Sequence, residues 1–417
     1  MAQLSDDCFA FGSPMMSVDE AVAIITGRVQ AVQDVETVDL RNADGRILAA
    51  DIFAPLALPP FTNSAVDGYA VRSADLSAAG KQTLPVSGRI QAGGAQAAIK
   101  PGHASRIFTG APMPEGADTV FMQEDVRIDE AGKVVLPPGL KAGANVRPAG
   151  EDIAAGSRAL PAGRRLRPQD VGLAAALGLN QLEVRRRLRV AVFSTGNEVV
   201  SPGGTRGPAQ LYDSNRFMLM AMLARLGCEV SDLGILRDDR ASLARGLREA
   251  ADAHDLILTS GGVSTGEEDH VKAAVENAGT LVLWRMAIKP GRPVAMGIIG
   301  GTPLIGLPGN PVAGFVTLVH VVRPTILALA GATPHALMPM PVRAAFSYRK
   351  KIARREYVRA RLRNAADGAV EAVKFPREGA GLLSSLVESD GLVELGEQVT
   401  HVEPGETVGF LSYASLM

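Results

Sequence analysis

The chain has 417 residues, 47% of them hydrophobic and 21% charged, with a formal net charge of −1 at pH 7. That describes an ordinary globular protein with ample material for a buried core, long enough for about three domains. The near-zero charge excludes a global field that would recruit nucleic acid or a membrane surface, so any anion must be held by local arginines and lysines.

The two cysteines, Cys8 and Cys228, make no CxxC, zinc spacing or disulfide framework, which suits a reducing compartment. Asp6 and Asp7 precede any apolar stretch and no basic segment opens the chain, so no secretory leader is expected and the cytoplasm is the default. Ser17 with Glu20 three residues on is a capping-box pattern, and Val22, Ile25, Val29 and Val32 give the predicted helix one apolar face. Residues 35–52 then alternate and turn at Asp44-Gly45. PPFTNSAVDGYAVR (59–72) reads as a fixed loop entering a strand, with Asp67 at a turn before Gly68. By residue type alone Asp67 is an Asx-turn residue. Residues 84–150 are rich in Gly, Pro and short β-runs without a helical period, which predicts a small all-β domain. Thr109-Gly110 either places a hydroxyl beside a flexible backbone or merely ends a strand. In VRPAGEDI (146–153), Arg147 could pair an oxyanion bidentately or close a salt bridge with Glu151 or Asp152. Residues 169–179 return to helix, so the β domain reads as an insertion in an elongated helical piece.

From Arg189 strands and helices alternate, which predicts a parallel sheet with helices on both faces and ligands at the carboxyl ends of its strands. STGNE, SGGVSTGEED and GLPGNP all fall at such ends. The second follows the apolar run Leu256, Ile257, Leu258, Thr259 and is the centre of the pattern. Its glycines admit a ligand close to the backbone, and a helix start attracts anions. Its acids could cap the helix, hold a divalent cation or move protons. Asp238-Asp239 either cap the next helix or face the site. In residues 284–293, two prolines around Gly291 argue for a presented Lys289, with Arg285 and Arg292 as further positive charge. The apolar run 312–332 contains His320, Arg323 and Pro324, and is read as a buried helix kinked at the proline. Residues 341–417 are short strands again, suited to a β-barrel-like unit, in which Ser384 and Ser385 are by themselves ordinary turn serines. The fold class is α/β plus β and multidomain. The expected division is an elongated helical linker domain (1–55 with 151–187), an inserted β domain (56–150), an α/β domain (188–335) and a C-terminal β-barrel-like domain (336–417).

NSAVDGYA, TGAPMPEGAD, RPAGEDI, STGNE, LYDSNR, SGGVSTGEED, AIKPGRP and GLPGNP occur in that order. Together they resemble the molybdopterin molybdenumtransferases, the gephyrin E-domain-like family of molybdenum cofactor biosynthesis, over nearly the whole chain. Two departures are Val66, where the family usually has methionine, and Arg285, where it usually has lysine. Arginine keeps the charge but cannot give up a proton near neutral pH. The resemblance implies a molybdopterin-binding α/β domain that ligates molybdate to the dithiolene of adenylylated molybdopterin, releasing AMP with the help of Mg²⁺. It implies catalytic roles for Asp67, Thr109, Asp152, Glu198, Asp269 and Lys289, with Glu198 and Asp269 positioning Mg²⁺ or the pterin. Substrate-binding roles fall on Arg147, Asp238, Ser260, Gly261, Gly262, Ser264, Gly266, Arg285, Pro308, Pro311 and Ser384.

The chemistry fits these residue types. Molybdate must lose oxo ligands as water, which needs protons, and carboxylates are the available acid–base groups. The dithiolene sulfurs belong to the substrate, so no active-site cysteine is needed. The resemblance further implies a homodimer whose cleft joins the β domain of one subunit to the α/β domain of the other. It also implies contact with the molybdopterin adenylyltransferase and with molybdoenzyme maturation proteins. Two alternatives carry other expectations. An adenylyltransferase of the sister branch would match only the α/β domain, and residues 1–180 and 340–417 argue against it. A gephyrin-like scaffold would want a fused domain and a long linker, neither of which is expected here.

Overall fold

The computed structural model describes residues 15–77, 80–95, 97–236, 240–262 and 270–416. The first helix, Val18–Thr26, opens on the expected capping box: the Glu20 amide donates to the Ser17 hydroxyl (3.2 Å) and the Ser17 amide to the Glu20 carboxylate (2.9 Å). It is shorter than its apolar periodicity suggests, because the chain turns out at Gly27. Val18, Ala21 and Ile25 are buried in a large core shared with one face of the α/β sheet and the long helical run near residue 320.

Two antiparallel ribbons join the chain before the β insertion to the chain after it. Val35–Asp39 pairs with Gln181–Arg185, and Ile52–Phe53 with Arg158–Leu160. The linking region is therefore two short helices, Val18–Thr26 and Pro168–Ala176, with two ribbons. QLEVR alternates with period 2, Leu182 and Val184 being buried and Gln181 and Glu183 exposed, as in a half-buried strand. Between the ribbons lies a four-stranded sheet in the order Val86–Ile90, Ala104–Ile107, Gly68–Val71, Thr119–Met122, with a three-stranded sheet beside it. Its cores draw on residues between Val66 and Val146 alone. Gly68 is forced there: a Cβ would lie 1.8 Å from the Phe121 carbonyl oxygen.

The central sheet runs Glu229–Ile235, Arg189–Ser194, Leu256–Ser260, Thr302–Leu307, Pro293–Ile299, Gly279–Arg285. The first four strands are parallel, as the alternation of strand and helix predicts. Pro293–Ile299 runs antiparallel to both its neighbours, so the sheet is mixed at this edge where parallel strands were expected. The cause is the two-residue turn Gly300-Gly301, both at positive φ (57° and 96°), which closes a hairpin where a crossover was expected. Helices cover both faces over two separate cores.

The run Pro311–Leu329 is, among the described residues, long and apolar enough to cross a membrane (19 residues, mean hydropathy 1.8), and 83% of its 18-residue apolar window is buried. The expected kink takes the form of a π-turn, Leu318–Val322, between Pro311–Thr317 and Arg323–Leu329. Pro324 offers no N–H, and the Arg323 amide reaches back to the Leu318 carbonyl, so the ladder is widened by one residue. The C-terminal strands Arg355–Asn364, Val370–Lys374, Met340–Ala344, Thr407–Ser412 and Gly391–Leu395 close on themselves as a five-stranded barrel. Ile288–Lys289, from the loop between the last two sheet strands of the α/β unit, pairs in parallel with Arg355-Glu356 at the barrel edge.

Candidate functional site

Three sequence motifs meet in the β unit. Ser64 is held from both sides of the Thr109-Gly110 turn: its amide donates to the Ala111 carbonyl (3.0 Å), and the Gly110 amide donates to its carbonyl (2.8 Å). Arg147 pairs with Asn63 in a two-residue ladder, and the Asp152 amide donates to the Leu58 carbonyl (3.0 Å). The motifs around Asp67, Thr109 and Arg147–Asp152 therefore form one hydrogen-bonded patch. Its key contact is Asp67, whose Oδ1 accepts from both the Thr109 amide and the Thr109 hydroxyl, each at 2.8 Å. Those two bonds, amide first, hold the Asp67 carboxyl below its ordinary range. Asp67 is half-buried, while Thr109, Arg147 and Asp152 are exposed. Arg106 braces the patch, donating to the Gly68 carbonyl (3.1 Å) and lying over the rings of Tyr69 and Phe108.

The second cluster sits at the carboxyl ends of the parallel strands. Gly261 is at φ +87° with Gly262 at +66°, and a Cβ on Gly261 would lie 3.1 Å from the Thr195 carbonyl oxygen. Asn215 ties three loops: its Nδ2 donates to the Ser260 hydroxyl (2.9 Å) and to the Gly309 carbonyl (2.8 Å). Ser260, Gly261 and Pro308 thus lie together, with Pro311 opening the helix beyond them. Ser194 Oγ, Thr195 Oγ1 and Asn215 Oδ1 are buried and have no hydrogen-bond partner among the described residues. Glu198 is exposed beyond the Thr195-Gly196 turn, its carboxylate filling the space that a Cβ on Gly196 would take.

The loop carrying Ser384 docks at the same helix start, where the Val312 amide donates to the Ala380 carbonyl (2.9 Å). Ser384 is exposed; its neighbour Ser385 is buried and accepts from Arg359 Nε (3.0 Å). Lys289 is not simply presented on its rigid turn. Its ammonium donates to the Tyr348 hydroxyl (2.9 Å) and pairs with the buried Glu356 (3.2 Å). Arg285 is exposed, and its carbonyl accepts from the Met16 amide (3.1 Å). Asp238, Ser264, Gly266 and Asp269 lie outside the described residues.

Comparison with known proteins decides the family. Residues 16–178 match the MoeA N-terminal region (domain I and II), residues 191–328 the probable molybdopterin binding domain, and residues 341–413 the MoeA C-terminal region (domain IV). The chain is 37% identical over 396 residues to a molybdopterin molybdenumtransferase of Haemophilus influenzae, covering 94% of this chain and 98% of the relative. This chain belongs to the MoeA family. A Mycobacterium tuberculosis relative, molybdopterin molybdenumtransferase 2, is 38% identical over 405 residues, with 94% and 98% covered. A crystal structure of a molybdopterin biosynthesis MoeA protein from Pyrococcus horikoshii superposes with a TM-score of 0.80 at 28% identity, covering 96% of this chain and 100% of that one. Another from the same organism gives 0.74 at 31%, covering 96% and 99%.

Within this MoeA-family chain, several site-lining groups escape a motif reading. Ser194, Thr195 and Asn215 fall inside STGNE and LYDSNR, but only the fold reveals that their oxygens are buried without a partner among the described residues. Tyr348, Glu356 and Arg359 carry no local signal at all; they reach the site through barrel pairing. No group of three or more His, Cys, Asp or Glu side chains among the described residues could hold a metal ion. Among the described residues, Glu198 presents an exposed carboxylate just beyond the Thr195-Gly196 turn, an oxygen donor of the kind a hard cation such as Mg²⁺ takes.

Proposed function

We propose that this chain inserts molybdenum into molybdopterin, using adenylylated molybdopterin and molybdate as substrates and releasing AMP. The observation that carries the reading is the glycine turn at Gly261, set against Thr195 and Gly309, with buried oxygens of Ser194, Thr195 and Asn215 on the adjoining segments that have no partner among the described residues. Such a floor offers close backbone approach and unspent hydrogen-bonding capacity to a polar, phosphate-bearing ligand. Its position at the strand ends is where open α/β sheets bind ligands.

The residues take distinct parts. Ser260, Gly261, Gly262, Pro308 and Pro311, with Asp238, Ser264 and Gly266, line the pterin side. Mg²⁺, which supplies charge neutralisation at the phosphate, would be held by Glu198 and Asp269. Lys289 and Arg285 hold oxyanion, and Ser384 faces them from the barrel loop. Asp67, fixed by Thr109 as a carboxylate, is an acceptor and an anchor, and Asp152 stands with it in the same patch. Arg147 completes that second half-site. The ammonium of Lys289 stays protonated: burial alone would lower its pKa, but Tyr348 and Glu356 outweigh burial and raise it.

The same reading includes a cytoplasmic homodimer with shared sites, contact with the molybdopterin adenylyltransferase and molybdoenzyme maturation proteins, and the division at residues 55/56, 150/151, 187/188 and 335/336. The ribbon pairing of Val35–Asp39 with Gln181–Arg185 supports treating the β unit as an insertion. The test incubates purified protein with adenylylated molybdopterin, molybdate and Mg²⁺, then measures AMP and protein-bound molybdenum. Both should rise together. AMP-moiety transfer from ATP to molybdopterin, without metal uptake, would assign the chain to adenylyl transfer instead.

A further inference from the structure

We infer that Tyr348 and Glu356 of the C-terminal barrel are positioning residues that aim the Lys289 ammonium at the oxyanion substrate. The inference rests on the proposed role of Lys289 and adds what sets its direction. Backbone pairing brings the groups together: Ile288 and Lys289 run in parallel register with Arg355 and Glu356, so the lysine is added to the barrel edge beside its carboxylate partner. The Lys289 side chain is 41% exposed, whereas that of Glu356 is 1% exposed. The ammonium donates to Tyr348 Oη at 2.9 Å and reaches Glu356 Oε2 at 3.2 Å, and the Tyr348 hydroxyl donates to the same Oε2 at 2.8 Å. The three groups close a triangle that fixes where Nζ sits. An ammonium has three N–H donors, so one is left to point outward.

A structural ion pair does not require this arrangement. Arg354 already grips the other oxygen of Glu356, with Nε at 3.0 Å and a second guanidinium nitrogen closer still. One cation neutralises a buried carboxylate. Here two cations share it, so the cluster keeps a net positive charge, and the exposed member is Lys289. Lys374 adds a further cation over the Tyr348 ring, 5.8 Å from its centroid, while pairing with Glu378. Glu356 is saturated and buried and cannot touch substrate itself; its effect must pass through Lys289. The turn behind the lysine is equally fixed, because a Cβ on Gly291 would lie 2.7 Å from Thr317 Oγ1 in the helix that opens at Pro311. Barrel and glycine-turn site are thereby referenced to one helix.

The experiment is a double-mutant cycle read as the KM for molybdate, with kcat followed separately in the AMP-release assay. Tyr348→Phe should raise that KM about fivefold, the scale of one net hydrogen bond, with kcat little changed. Glu356→Gln should raise it about tenfold, since charge-assisted bonds are lost. Lys289→Ala should raise it more than either. In the Lys289→Ala background, Tyr348→Phe should then add less than about a twofold change, because its only route to substrate is gone. An equal effect of Tyr348→Phe in both backgrounds, or none in the wild-type background when Lys289→Ala does raise KM, overturns the positioning role. A normal KM in Lys289→Ala overturns the oxyanion assignment itself, a different and separable failure. Melting curves establish that each variant is folded, and Tyr348→Phe, which removes one oxygen, carries the test if Glu356→Gln does not fold.

Discussion

At the scale of single residues, the two half-sites are built by different means. Asp67 is fixed by partners, since both bonds from Thr109 land on one carboxylate oxygen. The Glu198 carboxylate instead occupies space left by the absent side chain of the turn beneath it. Gly196 is at φ +128°, and a Cβ there would come within 2.5 Å of a Glu198 carboxylate oxygen. Gly196→Ala should therefore push the carboxylate aside and strain the backbone, costing about 1 kcal/mol or more in stability. Metal insertion should fall much further than the melting temperature suggests. Paired thermal melts and AMP-release assays check this, and a variant with normal turnover would show that the Gly196 turn does not set the Glu198 carboxylate. Residues of the first kind were legible in sequence because Asp67 and Thr109 each sit in a recognisable motif. Glu356 and Tyr348 were not, because nothing in the order of residues tells which barrel strand Lys289 will join.

At the scale of elements, the helical run from Pro311 to Leu329 holds the most unusual chemistry. His320 lies in its π-turn, stacked on Tyr357 with ring centroids 3.9 Å apart and buried to 8% exposure. Burial, with Arg355 and Arg323 nearby, pushes its imidazolium down to about 3 from an ordinary 6.5. The unfolded chain therefore binds a proton that the folded chain refuses. Stability is full above pH 6.5 and is lost as pH falls from there toward 3, by up to about 1.4 kcal/mol per pH unit. Urea midpoints between pH 7 and 5 should fall more steeply for the wild type than for His320→Gln, which does not titrate. Parallel slopes would mean that His320 is not a buried neutral ring. The proline in this run was readable as a kink, but the form of the kink was not, since it depends on which carbonyl the Arg323 amide finds. Likewise the alternation of strand and helix suggested parallel strands, yet Gly300-Gly301, two glycines at positive φ, close Pro293–Ile299 and Thr302–Leu307 directly into a hairpin.

At the scale of the whole molecule, the ordered motifs made the multidomain architecture legible, while their meeting places depended on pairing across long stretches of chain. The Asp67 patch belongs to a unit whose cores draw only on residues between Val66 and Val146. The glycine-turn site stands on a core that runs from Val18 to Leu416 without any residue of that unit. The bonds that organise the Asp67 patch likewise close among residues 58–153. Two half-sites on separate cores suit a shared cleft between subunits. The decisive test mixes two inactive variants, Asp67→Ala and Asp269→Ala, by co-expression. In a symmetric dimer with shared clefts, a mixed dimer puts both lesions in one cleft and none in the other. Half of the sites in mixed dimers should then work, and random pairing should restore roughly a quarter of wild-type activity. If each site is completed within one chain, every site keeps one lesion and the mixture stays inactive. Light scattering fixes the oligomeric state beforehand, so that dimers without recovered activity count directly against the shared cleft.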